Sequence, residues 1–117
     1  MSPTSGASGL PRSGRILLMG VPWLARAIDK GRMRLCGTLG DYVFPCPMDE
    51  EILRVLGLTP AQFLEILKGA SGDEEILQAL SLRISSLGPG DWMRLDVFLV
   101  RHSRLLDDQD REEGRLC

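Results

Sequence analysis

The sequence is poor in the residues that build metal centres and disulfide frameworks. Its 117 residues include one histidine and three cysteines, at positions 36, 46 and 117. These cysteines fit neither a disulfide framework nor the paired CxxC spacing of a metal site. Unpaired thiols of this kind are typical of proteins that stay reduced in the cytosol. We therefore expect a cytoplasmic protein with no metal site and no cofactor.

Long apolar runs are also missing. No stretch approaches the roughly 20 apolar residues that a helix needs to cross a bilayer. The apolar stretch within residues 15–20 is too short for the core of a signal peptide. A chain of this length suffices for one domain with one hydrophobic core. The sequence therefore predicts a single domain with no membrane association.

Acidic and basic residues are unevenly divided along the chain. Residues 1–40 carry six basic residues and one acidic residue, a net charge of +5, and residues 41–117 carry eight basic and fifteen acidic residues, a net charge of −7. This division favours self-association, or packing of a basic helix on acidic ones, over nucleic-acid binding. We therefore expect a homo-oligomer, most simply a dimer, and no nucleic-acid partner.

A first helix is predicted from about Pro22 to a left-handed cap at Gly37. Apolar or small residues recur along one side of it at helical spacing, at Leu24, Ile28, Gly31 and Leu35. Glycine inside a helix costs about 1 kcal/mol relative to alanine. Its place on the apolar side therefore predicts close approach of another helix.

Capping signals and apolar periodicity predict four further helices. Acidic residues 49–51 suit a helix N-terminus, and residues 59–62 and 71–74 each match a capping box. A last helix should run from Trp92 to about His102 after an Asp91 cap. Because it is apolar nearly all round, we expect it to be central in the core or covered by a partner. The prediction is an all-α, single compact domain of about five helices.

The remaining segments are predicted to be a connection between helices and the two chain termini. Residues 42–47 predict a short extended crossover, because two prolines there forbid a helix. A rival is a hairpin that pairs residues 33–36 with residues 42–45 across the glycine turn. Residues 1–14 predict a flexible N-terminal arm, and Arg12 and Arg15 could hold this arm against the rest of the domain. Residues 15–106 then form the helical domain, and residues 107–117 a charged tail that is frayed or loosely helical.

Cys46 is the candidate for thiol chemistry. It precedes Pro47 at a predicted helix N-terminus, where the helix dipole favours a thiolate. A cysteine nucleophile needs a base, and the one histidine is His102. If the last helix packed beside this turn, Cys46, His102 and Asp49 would form a triad-like set. The alternative, which we favour, is a small buried thiol and a solvated histidine.

The first helix also carries a possible anion site. Arg26, Lys30 and Arg34 follow one another at four-residue spacing and predict a basic ridge that could bind phosphate or a nucleic-acid backbone. Only Trp23 adds an aromatic ring for stacking, so we favour a solvated ridge or one paired with acidic helices. Asp29 is expected to pair with Arg26 or Arg32.

Several short motifs occur in order between residues 11 and 50. They are Pro11-Arg-Ser-Gly-Arg15, Gly20, Trp23-Leu-Ala-Arg26, Asp29-Lys30, Arg32, Gly37-Thr-Leu-Gly-Asp-Tyr42 and Cys46-Pro-Met-Asp49. In these motifs the chain resembles a bacterial family catalogued only as a domain of unknown function. The resemblance implies a small, largely helical cytoplasmic protein with no assigned activity. It gives no role to four of the motif residues: Asp29, Arg32, Tyr42 and Pro47.

Three functions follow from these observations. The first is a non-catalytic interaction or dimerisation module. The second is a small enzyme or thiol-dependent sensor that uses Cys46. The third is a weak anion or nucleic-acid binder that uses the first helix. Whether the chain is an enzyme is left open by the residues themselves.

Overall fold

A computed structural model describes residues 10–114 of the chain. Within that range the chain forms six helices: α1 (Leu24–Cys36), α2 (Pro47–Val55), α3 (Pro60–Lys68), α4 (Asp73–Ser85), α5 (Pro89–Arg101) and α6 (Ser103–Glu112). It forms no strand there, only an isolated bridge between Leu18 and Val21. No helix of the described range is long and apolar enough to cross a membrane. The predicted all-α fold is confirmed.

The sixth helix is the difference from the predicted five. Residues 107–112, expected as part of a charged tail, belong to α6. Leu106 is fully buried in this helix and Asp110 is nearly so. The backbone bends at His102, which ends α5 and begins α6. Burial on one side, rather than helix propensity, therefore orders this charged segment.

Several predicted helix ends are confirmed. Gly37 ends α1 with φ of 72°, in the left-handed region. Thr59 Oγ1 accepts the Gln62 N–H at 3.1 Å, and Gln62 Oε1 accepts the Thr59 N–H at 2.9 Å, which is the expected capping box of α3. Because residues 33–36 lie in α1, the rival hairpin does not form.

Two predicted caps are wrong. Helix α4 begins at Asp73 after Gly72, and Ser71 donates its N–H to Glu75 instead of forming a capping box with Glu74. Helix α5 begins at Pro89, not Trp92, because proline suits the first helical position. Asp91 lies inside the first turn and accepts the Gly88 N–H at 3.1 Å.

Helix α1 lies at the centre of the fold and packs on α2 and α3. A Cβ atom at Gly31 would lie 2.4 Å from Leu67 Cδ1 of α3, so the predicted close approach of a helix is confirmed. Burial of α1 ends at Met33, and Leu35, placed by its spacing on the buried side, is exposed. The other helices thus cover only the first part of α1.

Helix α5 packs on α2 and α6 but is not central. Leu95 and Phe98 face the core at 1% exposure each. Met93, Val97 and Val100 are 66%, 49% and 78% exposed. We call these three residues the α5 stripe. Of the two expectations for this helix, a central position in the core is wrong. A covering partner stays a prediction, because the part of the chain that the structure describes leaves the stripe uncovered.

The predicted N-terminal arm lies partly outside the described residues, which begin at residue 10. From there to residue 14 the backbone lies against the helices. Ser13 and Gly14 are buried, and Gly14 accepts the Trp23 N–H at 2.9 Å. A Cβ atom at Gly14 would lie 2.4 Å from the Trp23 ring, so only glycine fits this contact without a shift.

Candidate functional site

The polar centre of the molecule is a set of buried charges on α1. Arg26 and Lys30 are each 3% exposed, and Asp29 is 2% exposed. A buried charge is costly unless it is paired and hydrogen-bonded. Of the two favoured readings of the basic ridge, the solvated one is wrong for Arg26 and Lys30, which face inward and pair with acidic side chains, and only Arg34 lies at the surface.

Lys30 is surrounded by three acceptors. Its Nζ lies 2.8 Å from Asp49 Oδ2, 2.9 Å from the Val43 carbonyl oxygen and 3.2 Å from Cys46 Sγ. An ammonium group has three N–H donors, so all three are used. Lys30 thereby ties α1 to the crossover at residues 42–47 and to the start of α2. Arg34 adds a further bond, from Nη1 to the Phe44 carbonyl oxygen at 2.9 Å.

Asp49 is fully buried and is the anion of this centre. Its Oδ1 accepts the Trp23 Nε1–H at 2.7 Å, and its Oδ2 accepts the Cys46 N–H at 2.9 Å as well as the Lys30 bond. Asp49 N–H points to Cys46 Sγ at 3.5 Å, so Cys46 and Asp49 cap α2 reciprocally. Pro47 is the first residue of that helix. Both carboxylate oxygens of Asp49 thus accept hydrogen bonds, and these bonds join α1 to the start of α2.

Arg26 binds the carboxylate of Glu113, the residue that follows α6. The pair is two-pointed, with Nη1–Oε1 at 3.0 Å and Nη2–Oε2 at 2.8 Å. The Tyr42 hydroxyl donates to Glu113 Oε2 at 3.1 Å. The guanidinium also lies 5.4 Å from the centroid of the Trp23 ring, within cation–π distance. These contacts fix the end of α6 against α1 and give the motif residue Tyr42 a structural position.

Asp29 pairs with Arg12 rather than with Arg26 or Arg32, so the expected partners are wrong. Arg12 Nε lies 2.8 Å from Asp29 Oδ2, and Arg12 Nη1 lies 2.6 Å from Asp73 Oδ2 of α4. Arg32 Nη2 is 3.5 Å from Asp73 Oδ1. Burial alone would lower the pKa of Arg12, but the hydrogen bonds to Asp29 and Asp73 outweigh it and hold the Arg12 pKa above its ordinary value.

The triad-like set of Cys46, His102 and Asp49, which was the less favoured sequence hypothesis, is not assembled. Cys46 and Asp49 are neighbours, but His102 lies against α2, with Nε2 at 3.5 Å from Glu51 Oε1 and its ring 4.7 Å from the ring of Phe98. The group beside the Cys46 thiol is Lys30. The sequence analysis expected Lys30 to be solvated or paired with an acidic helix, and no local signal joined it to a cysteine 16 residues away.

A cavity of about 370 Å³ opens beside this centre. Its lining includes Trp23, Arg26, Lys30, Tyr42 and Cys46. Cys46 is half-buried and is one of the residues that line this cavity. Among residues 10–114 no group of three or more His, Cys, Asp or Glu side chains is placed to hold a metal ion. Cys46 contributes the thiol among the lining residues.

A second, larger cavity of about 870 Å³ lies between α2 and α5, and we call it the α2–α5 groove. Its apolar lining is Val55 with Met93 and Val97 of the α5 stripe. Its charged lining is Glu51, Arg54, Arg94 and Arg101. Arg101 pairs with Glu51, and Arg94 lies 3.4 Å from Asp91. Two residues of the stripe, Met93 and Val97, thus lie in the groove beside Val55, and charged side chains border them.

Comparison with known proteins identifies a family. A family model described as "Domain of unknown function (DUF5069)" matches residues 8–86. No curated protein and no solved structure matches the chain. The matched segment contains Arg12, the charges of α1, Cys46 and Asp49. The α5 stripe and Glu113 lie beyond it.

Proposed function

Because the chain belongs to the family described as Domain of unknown function (DUF5069), a description that names no activity, we propose a function from the geometry. The chain is a non-catalytic interaction module that pairs with a second copy of itself through α5. The observation that carries this proposal is the exposed α5 stripe.

The stripe has the form of a helix-pairing surface. Met93, Val97 and Val100 are spaced by four and three residues, so they lie along one side of α5. Leaving apolar surface in water costs about 25 cal/mol per Å². Contiguous exposed apolar patches typically mark interaction sites. A two-fold axis would set the stripe against the same stripe of a second copy.

The α2–α5 groove extends this surface. A stable interface buries about 800 Å² on each partner, which is more than three side chains supply. The groove adds Val55 and the aliphatic stems of the arginines at its border. The stripe and Val55 would form the apolar centre of the interface, and the charged side chains that line the groove would form its polar margin, which is the usual arrangement of an interface.

The buried charges support a module rather than an enzyme. Lys30 has all three donors engaged, and both oxygens of Asp49 accept hydrogen bonds. Arg26 is bound at two points to Glu113. General acid–base catalysis needs a group positioned to exchange a proton with a substrate. Anion binding needs cationic donors that an anion can reach, and Arg26 Nε, which has no hydrogen-bond partner, is buried. This centre therefore favours neither acid–base catalysis nor anion binding.

Sedimentation velocity at micromolar concentration tests the proposal. We expect a dimer that persists at high salt, because an apolar interface is not screened by ions as exposed charges are. Val100→Glu should yield a monomer, since it places a charge in the apolar centre. Leu82→Glu is the control: Leu82 is 77% exposed near the C-terminus of α4 and belongs neither to the stripe nor to the lining of the α2–α5 groove, so its replacement should leave the dimer intact. A monomeric wild-type protein at all concentrations, or a dimer unaffected by Val100→Glu, would overturn the proposal.

A further inference from the structure

We propose that Cys46 and Lys30 form a site of covalent modification, in which oxidation by a peroxide joins the Cys46 sulfur to the Lys30 nitrogen. The product is a sulfenamide cross-link between α1 and the start of α2. This inference concerns the centre of the molecule and does not depend on pairing through α5.

The two atoms are held at close range by the fold. Lys30 Nζ lies 3.2 Å from Cys46 Sγ. The nitrogen is fixed by Asp49 and the Val43 carbonyl, and the sulfur is fixed as the cap of α2. Fixed neighbours at about 3–3.5 Å react far faster than the same groups in solution. Cys46 lines the cavity, which gives a small oxidant a path toward this residue.

The chemistry balances in two steps. The peroxide transfers one oxygen atom to the Cys46 thiol, which gives a sulfenic acid and, from hydrogen peroxide, one water. One proton of the Lys30 ammonium group first passes to Asp49 Oδ2, which lies 2.8 Å from Nζ, and this frees the lone pair of the nitrogen. The nitrogen then attacks the sulfur, the S–O bond breaks and an S–N bond forms. The departing oxygen leaves as water with a second proton from the nitrogen. The peroxide is reduced by two electrons, and the protein loses two hydrogen atoms.

Cys36 provides an internal contrast. It is exposed at the end of α1, whereas Cys46 has an amine at hydrogen-bond distance. A sulfenic acid without a nearby nucleophile proceeds with excess peroxide to sulfinic and sulfonic acids, which thiols do not reduce. The cross-link would stop this progression at Cys46. Its formation would also neutralise Lys30 and so break the ion pair with Asp49.

The test is mass spectrometry of the full chain after hydrogen peroxide treatment, with Cys36 and Cys117 replaced by serine. We expect the intact protein to lose the mass of two hydrogens, and its digest to contain one peptide pair joined between residues 30 and 46. A thiol reductant should restore the original mass. Oxygen addition at Cys46 without the joined pair, or an intermolecular disulfide through Cys46, would overturn the proposal.

Lys30→Arg is the matched variant, because it keeps the positive charge but removes the primary amine. We expect this variant to add two or three oxygen atoms at Cys46 under the same treatment. Loss of two hydrogens that persists in Lys30→Arg would assign the nitrogen to the backbone and contradict the proposal. If Lys30→Arg does not fold, the test rests on the protein that retains Lys30: a peptide pair joined between residues 30 and 46 supports the proposal, and its absence contradicts it.

Discussion

Arg26 and Glu113 form a two-point ion pair between the first helix and the residue that follows the last. The bonds are 3.0 Å and 2.8 Å long, and the two side chains are 3% and 7% exposed. The partners are 87 residues apart in the chain. This pair holds the C-terminal helix against the segment that matches the family.

Glu113→Ala should lower the free energy of unfolding by about 3–5 kcal/mol, because it leaves the Arg26 charge buried without its partner. Urea unfolding followed by circular dichroism measures this change. The control is Glu112→Ala, which removes an exposed carboxylate one residue earlier and should change stability by less than about 0.5 kcal/mol. Equal effects of the two substitutions would mean that the pair does not hold α6.

Trp23→Phe tests the anchor at Asp49. The substitution removes the Nε1–H donor and leaves Asp49 Oδ1 without its 2.7 Å hydrogen bond in a fully buried site. An unsatisfied buried acceptor costs about 1–3 kcal/mol. The half-buried Trp92 supplies the comparison, because Trp92→Phe makes the same change of ring size. We expect urea unfolding to show a loss for Trp23→Phe that exceeds the loss for Trp92→Phe by at least that amount, because Trp23 is fully buried and its truncation also leaves a larger cavity. Indistinguishable losses would contradict the role assigned to the indole.

Glu75 gives a prediction for pH. Its carboxylate accepts the Ser71 N–H at 2.9 Å, and this backbone hydrogen bond lowers the pKa of Glu75 below its ordinary value. A lowered pKa in the folded state means stabilisation that is present above the unfolded pKa and lost as pH falls through the folded one. Glu75→Gln should therefore be less stable than wild type at neutral pH, and the difference should vanish in acid. A stability difference that stays constant with pH would refute this.

Local features of the fold could be predicted from the sequence. The C-terminal end of α1 follows from Gly37, and the N-terminal end of α3 follows from the Thr59 capping box. Both signals are local because a cap depends on residues three or four positions apart. The need for glycine at position 31 also follows from a local pattern. These signals act within one helix, so a single sequence contains all the information they require.

The site could be predicted only in part. Four-residue spacing correctly places Arg26 and Lys30 on the same side of α1, but spacing does not reveal what covers that side. Residues 42–46 and Glu113 cover it, and those contacts depend on how the whole chain folds back. The division of charge between the two halves was the one signal of such pairing. It identified no individual partner, so Glu113 was missed.

The most direct test of pairing through α5 is a cysteine at the centre of the stripe. In a chain with Cys36 and Cys117 replaced by serine, Val97→Cys should form an intermolecular disulfide on mild oxidation, because a two-fold axis through the stripe sets residue 97 beside its own copy. Leu82→Cys, on the exposed side of α4, is the control and should stay uncross-linked. A non-reducing gel that shows a dimer for residue 97 and a monomer for residue 82 is the predicted result. No dimer at residue 97, or equal cross-linking at both positions, would contradict the proposed interface.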